Sequence, residues 1–262
     1  MIDCHTHLGH SSFDADRTQV LERAGAAGIQ RIGLVGEDSL DNLNVLRLAR
    51  SNPVFLPFLG LHPDRWRDDR PQAGPPPEEE LKTVLAQIRE NSRNIIGIGE
   101  VGLDRWVCRD ENVRRAQAEA FRAFVSLALE LDLPLNVHSR SAGRYTLDIL
   151  KEMGASRVLM HAYDGRASTA CQGAEAGFVF SIPPSVVRSP QKQKMVRNLP
   201  LDALALETDS PVLGPEPGQR NEPANLVVSL REIARIKGVS EPEVVQAANA
   251  NLARIFKVGS GW

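Results

Sequence analysis

Eight short runs rich in Val, Ile, Leu and Phe, each parted from the next by a longer amphipathic stretch, constrain this chain more than any other feature. They fall at residues 2–7, 31–35, 55–61, 95–100, 135–139, 157–161, 178–182 and 203–208. A buried parallel strand reads as a near-continuous apolar run, and the crossover that follows it reads with the helical period. The intervening segments have that period. RTQVLERAGAAG sets Val20, Leu21 and Ala24 on one stripe and ends at Gly28, a helix-terminating glycine. PPPEEELKTVLAQIRE opens with Pro77 in the first turn and Glu78, Glu79 and Glu80 at the positive end of the helix dipole. ENVRRAQAEAFRAFVSLALELDLP closes before Pro134, and two more helices are expected at 224–236 and 241–256. Eight strands alternating with helices over about 250 residues is the size of a (β/α)8 TIM barrel. The expected fold is therefore α/β, a single domain over residues 1–258, with GSGW at 259–262 a frayed or appended tail. An open doubly wound sheet needs a Gly-rich phosphate turn after the first strand, and HTHLGHSS does not supply one.

At 262 residues the chain can bury a substantial core. Its formal net charge of -2 argues against a broad nucleic-acid-coating surface and leaves room for a locally basic pocket. No apolar run of about 18 residues is present for a membrane span. No charged, apolar and small-residue leader precedes the first strand, so no membrane partner and a cytoplasmic location are expected. The three cysteines, Cys4, Cys108 and Cys171, are odd in number and far apart, which indicates neither a disulfide framework nor a zinc knuckle. The sequence does not set the oligomeric state; a monomer is compatible with it.

Barrel enzymes place their chemistry at the C-terminal ends of the strands. IDCHTH puts His5 and His7 on one face of the first strand, backbones roughly 6 to 7 Å apart, within reach of one metal ion; Cys4 points the other way and is read as packing. The third strand runs into GLHPD with His62, the fourth ends GIGEVGLD with Glu100, and the fifth ends LNVHSR with His138. The sixth ends LMHAYDG with His161, and the eighth ends LETDSP with Glu207 and Asp209. Five of the six histidines thus share one rim, which points to a metal centre. Two histidines on the first strand, one each on the fifth and sixth, and an aspartate on the eighth suffice for a single ion. Glu100 stands where a carboxylate can bridge to a second, the clamp used for in-line displacement at phosphorus. Imidazoles mixed with carboxylates suit Zn, Mn, Co or Fe better than Mg, and the choice among these divalent ions stays open.

The segments DCHTH, GLHP, GEVGLD, NVHSRSAGR, HAYDG, FSIPPS, ETDSP and RNEPANL, in that order over nearly the whole chain, resemble the TatD-related metal-dependent hydrolases of the amidohydrolase superfamily. Within that family they look closest to the TatD domain-containing protein 3 branch. The resemblance implies a TIM barrel, divalent metal and hydrolysis of ester bonds, with deoxyribonuclease activity. Carried onto this sequence, it implies that His5, His7, Glu100 and Asp209 hold one metal and that Glu100, His138 and His161 hold the other. Two stretches depart from the family pattern. Asp104 is followed by Arg105 and Trp106, and the loop at 64–77 carries RWRDDRPQAGPPP; both shape substrate access.

The expected reaction is attack on a phosphodiester of nucleic acid, or on a small phosphoester, by a metal-bound hydroxide. Glu100 and Asp209 are the catalytic carboxylates, Asp209 taking or relaying the proton. His62 and Arg220 are the expected phosphate contacts, with Asn225 a third. Arg140, Arg144, Arg166, Arg188 and Lys192 read mainly as surface charges or helix partners. Trp66 and Trp106 read either as stacking faces for bases or as rings tucked under their own loops. Asp3, Tyr163 and Asp164 are expected to hydrogen-bond a metal ligand, and Glu207 to cap the next turn. Two other readings keep the same rim. One is an amidase, lactonase or deacetylase acting on a carbonyl, although many such barrels use a carboxylated lysine where Glu100 stands. The other is a non-catalytic, metal-binding barrel that binds nucleic acid, against which the complete ligand set argues.

Overall fold

A computed structural model of the chain describes residues 1–68 and 74–256; the expected tail at 259–262 and residues 69–73 of the 64–77 loop lie outside the described residues. Eight parallel strands run in the order β1 (Ile2–Thr6), β2 (Arg31–Val35), β3 (Phe55–Leu59), β4 (Gly97–Gly102), β5 (Leu135–His138), β6 (Val158–Met160), β7 (Val179–Ile182) and β8 (Leu204–Leu206). Beyond the ends of β1 and β8 the two exits bind each other: Asp209 N–H donates to the His5 carbonyl at 3.0 Å and His7 N–H to the Ser210 carbonyl at 2.8 Å. These bonds draw the two outer strands together at the end where the histidines lie, and the (β/α)8 barrel is the fold.

The helices follow the signals in the sequence. In chain order they are α1 (Arg17–Ala26), α2 (Ser39–Ser51), α3 (Pro77–Asn91), α4 (Glu111–Leu131), α5 (Gly143–Glu152), α6 (Ala167–Glu175), α7 (Pro190–Asn198), α8 (Leu226–Lys237) and α9 (Glu241–Phe256). Helix α1 stops because Gly28 takes a left-handed conformation at φ 82°, and α3 carries Pro77 in its first turn as expected. The carboxylate of Asp110 caps α4 by accepting from the Asn112 and Val113 N–H groups. Among the described residues no helix is long and apolar enough to cross a membrane.

Two apolar layers result. Ile32, Leu34, Ile98, Val101, Val137 and Phe180 are buried in the larger cluster, together with α4 side chains such as Phe121 and Phe124. Cys4, Val35, Leu56, Phe58, Leu159, Val179 and Ala205 form a second cluster with Leu252, Ile255 and Phe256 of α9, which closes the N-terminal end of the barrel. Cys4 is packing, as read from the sequence.

One strand lies two residues later than its apolar run suggests. The run at 95–100 becomes β4 at Gly97–Gly102, so Glu100 sits inside the strand rather than at its end. The reason is backbone crowding. A Cβ on Gly97 would lie 2.7 Å from the Pro134 carbonyl oxygen, and one on Gly99 would lie 2.6 Å from Asn136 Cβ. Glycine lets β4 press against β5, and the pairing shifts register between Ile98 and Val101, on either side of Glu100.

Candidate metal centre

Glu100 is buried, and each of its carboxylate oxygens faces a different set of imidazoles. Oε1 lies 2.6 Å from His138 Nδ1, 2.7 Å from His161 Nε2 and 3.4 Å from His62 Nε2. Oε2 lies 3.2 Å from His7 Nε2 and 3.4 Å from His5 Nε2. Asp209 Oδ1 stands with the second set, 3.5 Å from His7 Nε2 and 3.7 Å from His5 Nε2. Ligand atoms of His5, His7 and Glu100 lie within 4.8 Å of one another, as do those of His5, His161 and Asp209 and those of His62, Glu100 and His138. The His5 and His161 rings stack at 3.8 Å between centroids, so the two halves of the cluster touch.

The ring nitrogen that each histidine turns away from Glu100 meets an oxygen. Asn136 Oδ1 lies 2.9 Å from His5 Nδ1, and Asp104 Oδ2 lies 3.1 Å from His138 Nε2. Asp64 Oδ1 lies 2.9 Å from His62 Nδ1. Glu37 Oε1 faces His7 Nδ1 at 3.6 Å and Glu207 Oε2 faces His161 Nδ1 at 3.7 Å, both just beyond hydrogen-bond length. At His5 and His138 such an oxygen takes the N–H and leaves the other nitrogen's lone pair for a cation, the arrangement that fixes metal-binding tautomers. The donor set therefore fits divalent metal: borderline imidazole nitrogens, two carboxylates, and oxygen partners behind the rings.

The electrostatics say the same. Burial alone would raise the Glu100 carboxyl, but His161, His62 and His5 hold it well below the usual range. Burial alone would lower His161, yet the Glu100 carboxylate, with Glu207 behind it, leaves that imidazole raised to about 10. Asp209 is held low against its own burial chiefly by His7, whose Nε2 lies 3.5 Å from Oδ1. A buried set of this kind needs positive charge beside its carboxylates, which protons or metal cations can supply.

The supports behind the site include residues to which the sequence reading gave no such role. Glu207 does not cap a turn; its carboxylate accepts from the Ala162 N–H at 2.8 Å and the Ser181 hydroxyl at 2.7 Å while facing His161. Lys192, read as a surface charge or helix partner, is buried and donates to the Ala162 carbonyl at 2.8 Å. Both hold the residue that follows His161. Ala162, Ser141 and Asp209 all have φ between 43 and 55°, a strained setting that costs about 1–3 kcal/mol each and clusters at functional sites. Asn136 and Asp104 carried one signal, a polar residue inside or just after an apolar strand. Glu37 carried none beyond its place after β2.

Other expected residues fall elsewhere. Asp3 accepts from Thr208 N–H and Oγ1 at 2.9 and 2.6 Å and from the His5 backbone N–H at 3.5 Å, and so ties β1 to the exit of β8 without touching an imidazole. Asp164 accepts from the Ser141 N–H, and the Tyr163 ring packs against Gly143 and Gly165; neither reaches His161 through a hydrogen bond in the structure. The Arg220 fork, expected to grip phosphate, is committed to Asp16 at 2.8 and 2.6 Å and to the Ser12 carbonyl at 2.6 Å. Asn225 donates to Asn221 Oδ1 at 2.9 Å, and Asn221 in turn donates to the Thr208 and Val212 carbonyls. RNEPANL is thus a clamp around the β8 exit. Arg188 donates to the Gly214 carbonyl, and Arg144 pairs with Asp148. Trp66 is tucked beneath its loop at 7 % exposure, whereas Trp106 stands out at 56 %.

Imidazoles and carboxylates able to hold metal thus converge at the C-terminal rim of a (β/α)8 barrel, where such folds place their chemistry. A family described as TatD related DNase matches residues 2–257, and the chain belongs to that family. It is a metal-dependent hydrolase of the TatD type. The chain is 44 % identical over 261 residues to the putative deoxyribonuclease TATDN3 of Mus musculus, covering 98 % of this chain and 88 % of the relative. It is 43 % identical over 267 residues to the deoxyribonuclease TATDN3 of Homo sapiens, covering 98 % and 94 %. Among solved structures it is similar to YJJV, a TatD homologue from Escherichia coli K12, with a TM-score of 0.88, 24 % identity, and coverage of 99 % and 98 %.

Proposed function

We propose that the rim binds two divalent cations and hydrolyses phosphodiester bonds of nucleic acid, with DNA the substrate favoured by the names of its relatives. The observation that carries this reading is the division of Glu100, one oxygen toward His138 and His161 and the other toward His5 and His7. His5, His7, Glu100 and Asp209 hold one cation; Glu100, His138 and His161 hold the other. Cations in that clamp bring bound water toward a pKa of about 7 and neutralise charge on the phosphoryl oxygens.

The chain's own groups do the rest. Asp209 is ionised and beside His7, placed to orient the nucleophile and accept its proton. His62, with its Nε2 3.4 Å from Glu100 Oε1, faces the same cluster and stands where it can contact a phosphoryl oxygen. Asp104 and Asn136 hold the His138 and His5 rings in place, and Glu37 and Glu207 face His7 and His161.

The test is hydrolysis of bis(p-nitrophenyl) phosphate together with elemental analysis of the loaded protein. The expected result is turnover with two ions per chain, abolished by chelation and by Asp209→Asn. Cleavage of amides or lactones with no phosphoester turnover overturns the reading.

A further inference from the structure

Among the described residues, the exposed large hydrophobic side chains include only two aromatic rings, Trp106 and Tyr145, and both lie on the rim beside the metal centre. Trp106, in the loop after β4, is 56 % exposed, and Tyr145, in the first turn of α5, is 50 % exposed. A guanidinium accompanies each ring. Arg140 sits 5.1 Å above the Trp106 centroid and Arg105 3.2 Å above that of Tyr145. The loop after β4 is joined to the loop that leads from β5 into α5 by the Arg105 N–H, which donates to the Arg140 carbonyl at 3.0 Å.

This shelf is tied to the ligands through one side chain. Asp104 Oδ1 accepts from the Trp106 N–H at 2.8 Å and the Val107 N–H at 3.1 Å, while Asp104 Oδ2 holds His138 Nε2 at 3.1 Å. The carboxylate that orients a metal ligand therefore also fixes the turn that presents the indole. A ring placed for packing would be covered, as Trp66 is on the neighbouring rim loop. Flat, exposed rings paired with guanidinium groups are what nucleobases stack on, the cation meeting the phosphate of the same nucleotide.

We infer that Trp106 and Tyr145, with Arg140 and Arg105, form a base-stacking subsite for the nucleotide next to the scissile phosphodiester. The inference rests on the phosphodiester reading above and adds to it the residues that grip the base. Net charge says nothing against it, because the guanidinium groups are local to the rim and the chain as a whole is near neutral.

The experiment is a cycle between ring and base, read as dissociation constants of the metal-loaded protein for oligonucleotides with a non-cleavable linkage. One strand carries the base beside that linkage and its twin is abasic there. The wild-type protein is expected to prefer the base-bearing strand roughly 5- to 100-fold, the range of one base–aromatic stack. In Trp106→Ala that ratio should collapse toward one, with a partial fall in Tyr145→Ala and the preference kept in Trp106→Phe. A wild-type ratio near one, or a ratio unchanged in Trp106→Ala, overturns the subsite. Both rings are at least half exposed, so replacing them opens no core. Because the cycle needs no turnover, its outcome separates from that of the hydrolysis test. A collapsed ratio without phosphodiester cleavage removes the proposed reaction alone, and cleavage with an unchanged ratio removes the subsite alone.

Discussion

The two ends of this barrel are built from opposite materials. At the N-terminal end, Phe58, Leu56, Val179 and Leu159 meet Leu252, Ile255 and Phe256 of α9, with the Phe58 and Phe256 rings edge to face at 5.4 Å. At the C-terminal end, buried carboxylates and imidazoles face one another, and Ser141, Ala162, Asp209 and Leu213 hold left-handed backbone. One end gains free energy from burial; the other spends it on desolvated charge and strain. The difference teaches that fold and chemistry are separable here: changes at the plug should move stability and leave the site's properties alone, and changes at the rim should do the reverse.

The largest effect expected is that of Glu100→Gln. An amide cannot supply charge to both halves, so hydrolysis should fall on the order of 10³-fold or more, with fewer than two ions retained per chain and little change in the far-ultraviolet circular dichroism. At the opposite end, Phe256→Ala should cost about 3–5 kcal/mol in denaturant unfolding while metal content and kcat hold. A variant that loses metal instead would break the separation. Asp104→Asn, which weakens the oxygen behind His138, should lower metal affinity by roughly 10- to 100-fold without reducing the number of ions at saturation.

A smaller effect concerns pH. His161 is raised from 6.5 to about 10 in the metal-free fold. Its contribution to stability is therefore fully present below pH 6.5 and is lost as pH rises through about 10. Metal must displace that proton, so loading strengthens over the same interval. Melting curves of chelated and loaded protein should separate further as pH rises from 6.5 toward 9; a gap that narrows contradicts the assignment. The least effect is predicted for Arg220→Ala. Its fork already holds Asp16 on the surface, so KM should change by no more than roughly twofold.

Local pattern carried the strand order and the convergent residues. Short apolar runs report buried parallel strands, and barrel geometry brings their C-terminal ends together wherever they lie in the sequence. What local pattern could not carry was partnership across the chain. The Arg220 guanidinium looks free in GQRNEP, yet it belongs to Asp16, 204 residues away. Glu207 looks like a cap, and its partners are Ala162 and Ser181 on other strands and loops. The β4 boundary moved because Gly97 and Gly99 permit a close approach that apolarity does not encode.

In the proposed centre Glu100 joins two cations. Crystals of metal-loaded protein measured at the absorption edge of the bound metal should show two anomalous peaks flanking its carboxylate, one beside His5 and His7 and one beside His138 and His161. A single peak, or two peaks with Glu100 bound to only one of them, would contradict it.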